Sequence, residues 1–338
     1  MLFDEILKAS LDPGRVRYTD GMLAGLRSLG KLITENPRYI LSEDMVWVTE
    51  QIAESKPTTF TKGLPLCRLP YPTVWLELPY SYRQAYRDAH HPESYYVNID
   101  SDLAPRPASI GFLLEQIDPE TIRVTHAWIH HDDVINICYR GMLLHLGTTL
   151  VGDPATIKIE RRNDEGFHAW ADRYTRRPGE EAALNELHCR VQMISIPLMD
   201  GYIRDIAKAS RGDMAMIERY EELAEFDLIG EWRFCMAALM MLNSRNLLDY
   251  QNVDRSKLNR ARARNPKKPP ALDYRTINLR LPRIARNAAR SRGMSNEDLK
   301  RHWVTGHPKV RQTGVFWWSP FTRGYRGEAE PPTYRVKP

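Results

Sequence analysis

The stretch SIGFLLEQIDPETIRVTHAWIH, residues 109–130, decides the fold class of this chain. It contains two apolar runs rich in β-branched and aromatic residues, Ser109–Gln116 and Thr121–His130, with the turn signal Asp118-Pro119 between them. Two runs of strand length joined by so short a connection predict neighbouring antiparallel strands.

Similar strand candidates lie on both sides of this pair, at Val74–Leu78, Val134–Leu144 and Thr156–Glu160. Turn signals rich in Asp, Gly and Pro separate them, so residues 64–160 are predicted to form an antiparallel, meander-like sheet. The segment Ser81–Glu93 is polar, and we predict that it is a loop or lid.

Helical periodicity flanks the predicted sheet on both sides, over residues 1–55 and 178–250. Glu231–Leu248 is strongly apolar, and its methionines are interpreted as core residues, whereas Glu180-Glu181 is interpreted as a solvent-facing pair of helix charges. Helices, then a sheet, then helices, instead of alternating βα units, predict an α+β fold.

Composition places the chain among globular proteins, because 42% of its 338 residues are hydrophobic and 27% are charged. The four cysteines are widely spaced and include no CxxC pair, so neither a disulfide framework nor a zinc finger is indicated. We predict reduced, mostly buried thiols in a cytoplasmic protein. No secretory signal or run long enough to span a membrane is visible, so no membrane partner is expected. Phosphate-loop, dinucleotide, serine-hydrolase and zinc-protease motifs are absent from the sequence, and no cofactor is predicted.

Charge is unevenly distributed along the chain. Residues 251–338 hold 21 Lys and Arg against 6 Asp and Glu, a net charge of +15, which leaves 27 basic and 37 acidic residues, a net charge of −10, in residues 1–250. This asymmetry predicts an acidic α+β body at 1–250 and a basic nucleic-acid-binding module at 251–338.

The basic module combines cations with aromatic residues. Its central feature is a strand, a glycine turn and a second strand, which together predict a short β-hairpin near the C-terminus. Guanidinium groups bind phosphate and aromatic rings stack on unpaired bases, so the mixture favours single-stranded RNA over reading of a DNA groove. The predicted nucleic-acid-binding residues are Arg260, Arg262, Arg264, Lys267, Lys268, Arg301, His302, His307, Lys309, Arg311, Trp317, Trp318 and Arg323.

A competing interpretation is that this basic surface packs on the acidic body and that its tryptophans belong to the core. At least one of Trp317 and Trp318 is expected to be buried, because neighbouring strand residues point to opposite faces. His302 and His307 also suit general acid–base cleavage of RNA, which makes them the candidate catalytic pair of an alternative, enzymatic interpretation.

The densest set of metal-ligand residue types lies at the end of the predicted hairpin, where the candidate zinc or iron ligands are His126, His130 and Asp132. His126 and His130 would share one face of a strand. Histidine and aspartate are also ordinary solvent-facing residues at such a turn, so the chain is expected to hold no metal.

The tail resembles a C-terminal signature of bacteriophage and prophage proteins of unknown function. The residues that carry the resemblance are His302 to His307, Lys309-Val310-Arg311, Trp317-Trp318-Ser319-Pro320 and Arg323-Gly324. This region is also similar to a large type V-A anti-CRISPR protein, and two further stretches fit the same group, Leu69 to Glu77 and Leu242 to Asn246. Lys257 to Arg262, with Pro269-Pro270 downstream, is typical of the phage members.

The anti-CRISPR relative acts on biogenesis of the type V nuclease by recognising its emerging N-terminal portion and causing loss of its messenger RNA. The resemblance therefore implies binding to a polypeptide and proximity to RNA or ribosomes. We expect a phage- or prophage-encoded cytoplasmic protein of the bacterial host that regulates or inhibits host defence by binding RNA, a defence-system or host polypeptide, or both. The alternatives are a ribonuclease that uses His302 and His307, and a virion or assembly component.

Overall fold

The computed structural model describes residues 1–12, 14, 18–90, 107–156, 170–218, 224, 228, 230–244, 247–264, 270–280, 302–304, 307–318 and 321–323. Within these ranges the chain forms a central mixed sheet with helices on both faces and a small hairpin, which confirms the predicted α+β class. None of the described helices combines the length and the apolar character that crossing a lipid bilayer requires.

The antiparallel meander predicted for the middle of the chain is confirmed. Strands β3 (Ser109–Asp118) and β4 (Thr121–Ile129) pair antiparallel, with Asp118 opposite Thr121 at the turn. On the outer side of β3 lies β2 (Thr73–Pro79), also antiparallel. Beyond β4 the sheet continues through β6 (Arg140–His145) to β7 (Val191–Ser195).

The predicted single strand Val134–Leu144 is in fact two strands. A short strand, β5 (Ile135–Ile137), pairs with the last residues of β4, while β6 pairs with its first residues. Of the predicted strand Thr156–Glu160, Thr156 lies in a turn and the rest falls outside the described residues.

Three further pairings were not predicted, and the two parallel ones among them make the sheet mixed instead of purely antiparallel. The four-residue strand β1 (Arg38–Leu41) runs parallel to both β2 and β9 (Tyr274–Leu279), and β9 pairs antiparallel with the edge strand β8 (Leu248–Val253). The order across the sheet is β7-β6-β4-β3-β2-β1-β9-β8, with β5 beside β4. Periodicity did not identify β1, because four residues between two helices are too few to establish an alternation.

Four helices come from the N-terminal region: α1 (Leu2–Leu11), α2 (Asp20–Glu35), α3 (Glu43–Ala53) and α4 (Pro57–Gly63). The hydroxyl of Thr19 caps α2 by accepting from the Met22 amide at 3.2 Å, and that of Ser42 caps α3 by accepting from the Met45 amide at 3.3 Å.

Further helices are α5 (Tyr80–His90), α6 (Glu180–His188), α7 (Asp200–Ala209), α8 (Glu231–Leu242) and α9 (Ser256–Arg262). The prediction of a loop or lid at Ser81–Glu93 was therefore wrong over the residues of α5. Although the composition of α5 is polar, one narrow stripe of the helix is buried. Arg83 and Tyr86, three residues apart, face the interior there.

The sheet has a hydrophobic core on each face. One core holds α3, α4, α6 and α8, and the methionines of α8 are buried there, as predicted. The other core holds α1 and α2, with Ile203 of α7 packed against it. All four cysteines are free and buried, as expected.

The interpretation of Glu180 as a solvent-facing charge was wrong. Its carboxylate is buried at the start of α6 and accepts hydrogen bonds from the Thr58 amide at 3.0 Å and the Thr58 hydroxyl at 2.9 Å. Lys56 pairs with the same carboxylate at 2.7 Å. Glu180 therefore ties α6 to α4, a long-range contact that local sequence cannot reveal.

The sheet continues across the boundary predicted between residues 250 and 251, which falls inside β8. Strand β9, from the predicted basic module, lies between β8 and β1 and contributes the buried Ile277 and Leu279 to the core. The basic C-terminal residues therefore supply part of the central sheet.

The predicted C-terminal hairpin is confirmed as two antiparallel ladders, β10 (His302–Val304) with β13 (Phe321–Arg323), and β11 (His307–Arg311) with β12 (Gly314–Trp318). Paired residue numbers in both ladders, such as 302 with 323 and 307 with 318, add to 625, so the two ladders share one register. A two-residue turn, Gln312-Thr313, connects β11 to β12.

Candidate nucleic-acid interface

The hairpin of β11 and β12 has two chemically different faces, because paired residues share a face and successive residues alternate. One face carries a basic residue in each of its three pairs: His307–Trp318, Lys309–Phe316 and Arg311–Gly314. The other face carries only apolar pairs: Pro308–Trp317 and Val310–Val315.

The apolar face attaches the hairpin to the core. Val315 is buried, and Val310 and Trp317 pack against the same core as α3, α4 and α8. The Val315 amide donates to the Ser244 hydroxyl at 3.0 Å, just beyond the end of α8. Close packing extends to Gly63, where an added Cβ would lie 3.1 Å from Val310. The hairpin is therefore held in a fixed orientation by packing on one side.

The opposite face is exposed and mixes cations with aromatic rings. We call it the hairpin face and define it as His307, Lys309, Arg311, Phe316 and Trp318. Phe316 and Trp318 are 41% and 38% exposed, and Arg311 is exposed as well. Lys309 Nζ lies 3.6 Å from the centroid of the Trp318 ring, and the His307 ring centroid lies 5.9 Å from it.

The two tryptophans follow the predicted alternation. Trp317 is partly buried against the core and Trp318 is the exposed member, so neither is fully buried, although at least one was expected to be. Among the described residues of β11 and β12, the fully buried side chain is that of Val315. Phe316 was not among the predicted binding residues. Its place opposite Lys309 could have been recognised from the hairpin register, because a two-residue turn at 312–313 sets that pairing.

The predicted arginines of the basic helix lie on a different surface. Asn259 of α9 bonds to the backbone of Ala271 in both directions, at 2.8 and 2.7 Å. Arg255, which precedes α9, bonds to Asp4 of α1 at 2.6 Å. Helix α1 packs on the sheet face opposite the hairpin. Arg260 and Arg264 are exposed and Arg262 is half-buried, so the structure does not bring these three together with the hairpin face.

Several predicted residues cannot be placed in the interface. Lys267, Lys268 and Arg301 lie outside the described residues, as do the side chains of His302 and Arg323. The backbone pairing sets His302 opposite Arg323 and His307 opposite Trp318. The ladder therefore does not pair the two histidines of the ribonuclease interpretation with each other.

Each of the three candidate metal ligands makes contacts of its own with residues that are not metal ligands. His126 is buried and stacks on Phe112, with ring centroids 4.9 Å apart. His130 Nε2 accepts from the Trp128 indole N–H at 3.0 Å, and the Asp132 carboxylate accepts from the Val134 amide at 3.2 Å. Across the described ranges, no group of three or more His, Cys, Asp or Glu side chains is arranged to hold a metal ion.

A buried ionic cluster, which the sequence did not predict, joins three helices. Arg83 of α5 donates to Glu50 of α3 and, through one nitrogen, to both carboxylate oxygens of Glu231 in α8, at 2.7 and 3.0 Å. Its guanidinium carbon lies 4.7 Å from the centroid of the Phe234 ring. Burial is the largest single effect and raises the pKa of Glu231. The charge of Arg83, its hydrogen bond and smaller effects of neighbouring basic side chains together outweigh burial, so this pKa lies below its ordinary value. Because the three helices come from distant parts of the chain, no local sequence pattern could indicate the cluster.

The end of α8 begins the stretch Leu242 to Asn246, which carries part of the family resemblance. It contacts the hairpin and the residues just before the stretch Leu69 to Glu77. The Asn243 side-chain amide donates to the carbonyls of Leu66 and Arg68, at 2.9 and 2.8 Å, immediately before the stretch that begins at Leu69. Ser244 contacts the hairpin through Val315. The same helix end therefore borders both the loop before β2 and the hairpin.

Comparison of the chain with protein-family models, with curated proteins and with solved structures gave no match.

Proposed function

We propose that this protein binds single-stranded nucleic acid, with RNA preferred to DNA, through the hairpin face, and that it regulates or inhibits host defence by binding and not by chemistry of its own. The observation that carries the proposal is the segregation of the hairpin. Its apolar side chains anchor it in the core, while two exposed aromatic rings and three basic residues share the other face.

Exposed aromatic rings beside cations match the two requirements of single-strand binding. Bases stack on the rings without regard to sequence, and the cations neutralise the phosphates that follow. Residues 307–318 contain no Asp or Glu, so no carboxylate within the hairpin opposes a phosphate backbone. A fixed β-hairpin also holds Phe316 and Trp318 in place before binding, which lowers the entropic cost of association.

The contact between Lys309 and Trp318 is compatible with base stacking. An exposed cation–π contact contributes about 0.5–1 kcal/mol, whereas stacking of one base on an aromatic ring contributes about 1–3 kcal/mol. An incoming base can therefore displace the ammonium group from the ring. The displaced Lys309 would then lie next to the phosphates of the bound strand.

The hairpin face can be tested with a fluorescein-labelled uridine dodecamer and fluorescence anisotropy at several salt concentrations. Trp318→Ala is expected to weaken binding roughly 5- to 100-fold, because the variant lacks one stacking platform. A Lys309→Ala/Arg311→Ala variant is expected to reduce the slope of log affinity against log salt by about 0.7 for each phosphate that the two cations neutralise in the unaltered chain.

Lys8→Ala removes an exposed cation of α1 and is the matched control, for which both affinity and salt slope should stay unchanged. Arg260→Ala measures whether α9 contributes, and a thymidine dodecamer measures the preference for RNA. Absence of saturable binding by the unaltered chain at low salt would contradict the proposal, as would a Trp318→Ala variant that binds as tightly as the unaltered chain.

A further inference from the structure

A second exposed aromatic group lies at the β8 edge of the central sheet. We call it the tyrosine cluster and define it as Tyr39, Tyr71, Tyr250 and Arg275. Tyr71 and Tyr250 are each 42% exposed, whereas Tyr39 is buried, with its ring centroid 6.2 Å from that of Tyr250. Arg275 is exposed, and interactions with the side chains of Tyr71 and Tyr39 raise its pKa.

The sheet register explains why these residues meet. Arg275 of β9 pairs with Tyr39 of β1, and Tyr250 of β8 pairs with Ile277, the next residue of β9 on the same face. Tyr71 comes just before β2, the strand on the other side of β1. Three adjacent strands and one loop therefore contribute to a single patch with a cation inside it.

The tyrosine cluster and the apolar side of the hairpin both contact the end of α8. The Tyr250 hydroxyl donates to the carbonyl of Leu242, the last residue of α8, at 3.4 Å. Two residues further on, the Ser244 hydroxyl accepts from Val315 of the hairpin. Between them, the side-chain amide of Asn243 donates to the Leu239 carbonyl at 3.0 Å. A carbonyl group at the negatively polarised C-terminal end of the helix therefore already has a hydrogen-bond donor.

We infer that the tyrosine cluster is a second subsite for the same single-stranded nucleic acid, in which Tyr71 and Tyr250 stack on bases and Arg275 contacts a phosphate. This inference rests on the proposed function of the hairpin face. Exposed tyrosine rings next to an arginine supply the same chemistry as the hairpin face, namely sequence-independent stacking and phosphate neutralisation. A strand that crosses the end of α8 would engage both subsites, so affinity should increase with oligonucleotide length beyond that of either subsite alone.

The test compares a uridine tetramer, which can occupy one subsite, with a dodecamer, which can reach both. Tyr250→Ala and, separately, Tyr71→Ala are expected to weaken dodecamer binding about tenfold, as expected for loss of one stacked base, and to leave tetramer binding to the hairpin face within about twofold. Tyr71 precedes its strand, so its variant tests the inference even if Tyr250→Ala disturbs β8. Ile117→Ala, an exposed apolar residue of β3, is the control and should change neither affinity.

The outcomes separate the two proposals. If the unaltered chain binds neither oligonucleotide, the proposed function fails and this inference fails with it. If it binds the dodecamer and both tyrosine variants bind equally well, only the second subsite is refuted. If the variants lose tetramer and dodecamer binding in equal proportion, the tyrosines support the hairpin face and do not form a separate subsite, which also refutes the inference.

Discussion

His126 is a histidine whose surroundings do not satisfy its polar atoms. Both of its ring nitrogens are buried, and neither has a hydrogen-bond partner among the described residues. Burial lowers the pKa of His126 to about 4. The negative charge of Glu231 opposes this shift and the positive charge of Arg83 adds to it. The imidazole is therefore neutral in the folded protein at physiological pH and acts as an aromatic ring stacked on Phe112.

This burial should make the protein sensitive to mild acid. The unfolded chain binds a proton at His126 near pH 6.5, whereas the folded chain resists protonation until about pH 4, so stability falls as the pH drops through that window. Between pH 7 and pH 5 the loss from this residue should be about 2 kcal/mol. His126→Leu is expected to remove that part of the pH dependence, measured as the free energy of unfolding in urea at both pH values.

The matched control is His131→Gln, because His131 is exposed at the turn after β4 and its replacement should leave the pH dependence intact. An unchanged loss of stability between pH 7 and pH 5 in His126→Leu would rule out this account. Alternation predicted that His126 and His130 share a strand face, but β4 ends at Ile129 and His130 lies just beyond it. Alternation also could not predict the burial of His126, because burial depends on which elements pack over the sheet, here α8, whose Phe234 contacts the cross-strand neighbour Phe112.

At the level of elements, the contact between α2 and α7 depends on two glycines. A Cβ added at Gly201 would lie 2.8 Å from the Cα of Gly21, a backbone atom that cannot move aside without shifting α2. The Gly21 amide also donates to the Asp205 carboxylate at 3.1 Å, which fixes the approach of the two helices. The small size of both residues therefore sets the distance between α2 and α7.

Gly201→Ala is expected to destabilise the fold by about 1–3 kcal/mol, since the helices must separate to admit the methyl group. Gly30→Ala is the control in α2, because its Cβ would make an ordinary 3.4 Å contact with Leu7. Because alanine has a higher helix propensity than glycine, this substitution should leave the free energy of unfolding unchanged or raise it by up to about 1 kcal/mol. Urea unfolding measures the free energy of unfolding of both variants. Equal values would show that the close approach of α2 and α7 does not limit what residue 201 can be.

Elements with strong internal patterns were predictable, and those defined by their neighbours were not. The β3–β4 pair, the apolar α8 and the cap at Ser42 each have a local signal in hydrophobicity or side-chain chemistry. Helix α5 has none, because its buried residues are Arg83 and Tyr86, and a buried arginine becomes stable only once Glu50 and Glu231 are placed around it.

At the scale of the whole molecule, the sequence suggested an acidic body beside a basic module. In the described residues, however, the two segments share one central sheet and pack against each other. Arg255 pairs with Asp4 near the other end of the chain and lies over the rings of Phe3 and Tyr274. The hairpin packs on the opposite face of the sheet. Net charge along the sequence indicated basic surfaces, but it could not show that they would be divided between the two faces of one central sheet.

Removal of residues 251–338 should therefore unfold the body instead of releasing an independent domain. The truncated chain 1–250 would lack β9, so the edge of β1 would be unpaired, and it would also lack the buried side chains of Ile277 and Val315. We expect loss of cooperative urea unfolding and of near-ultraviolet circular dichroism, together with aggregation. Ile277→Asp in the full chain should cause the same defect with the basic residues retained, which separates core packing from charge. A truncated chain that remains monomeric and unfolds cooperatively at the same urea midpoint as the full chain would instead establish residues 1–250 as a self-sufficient domain.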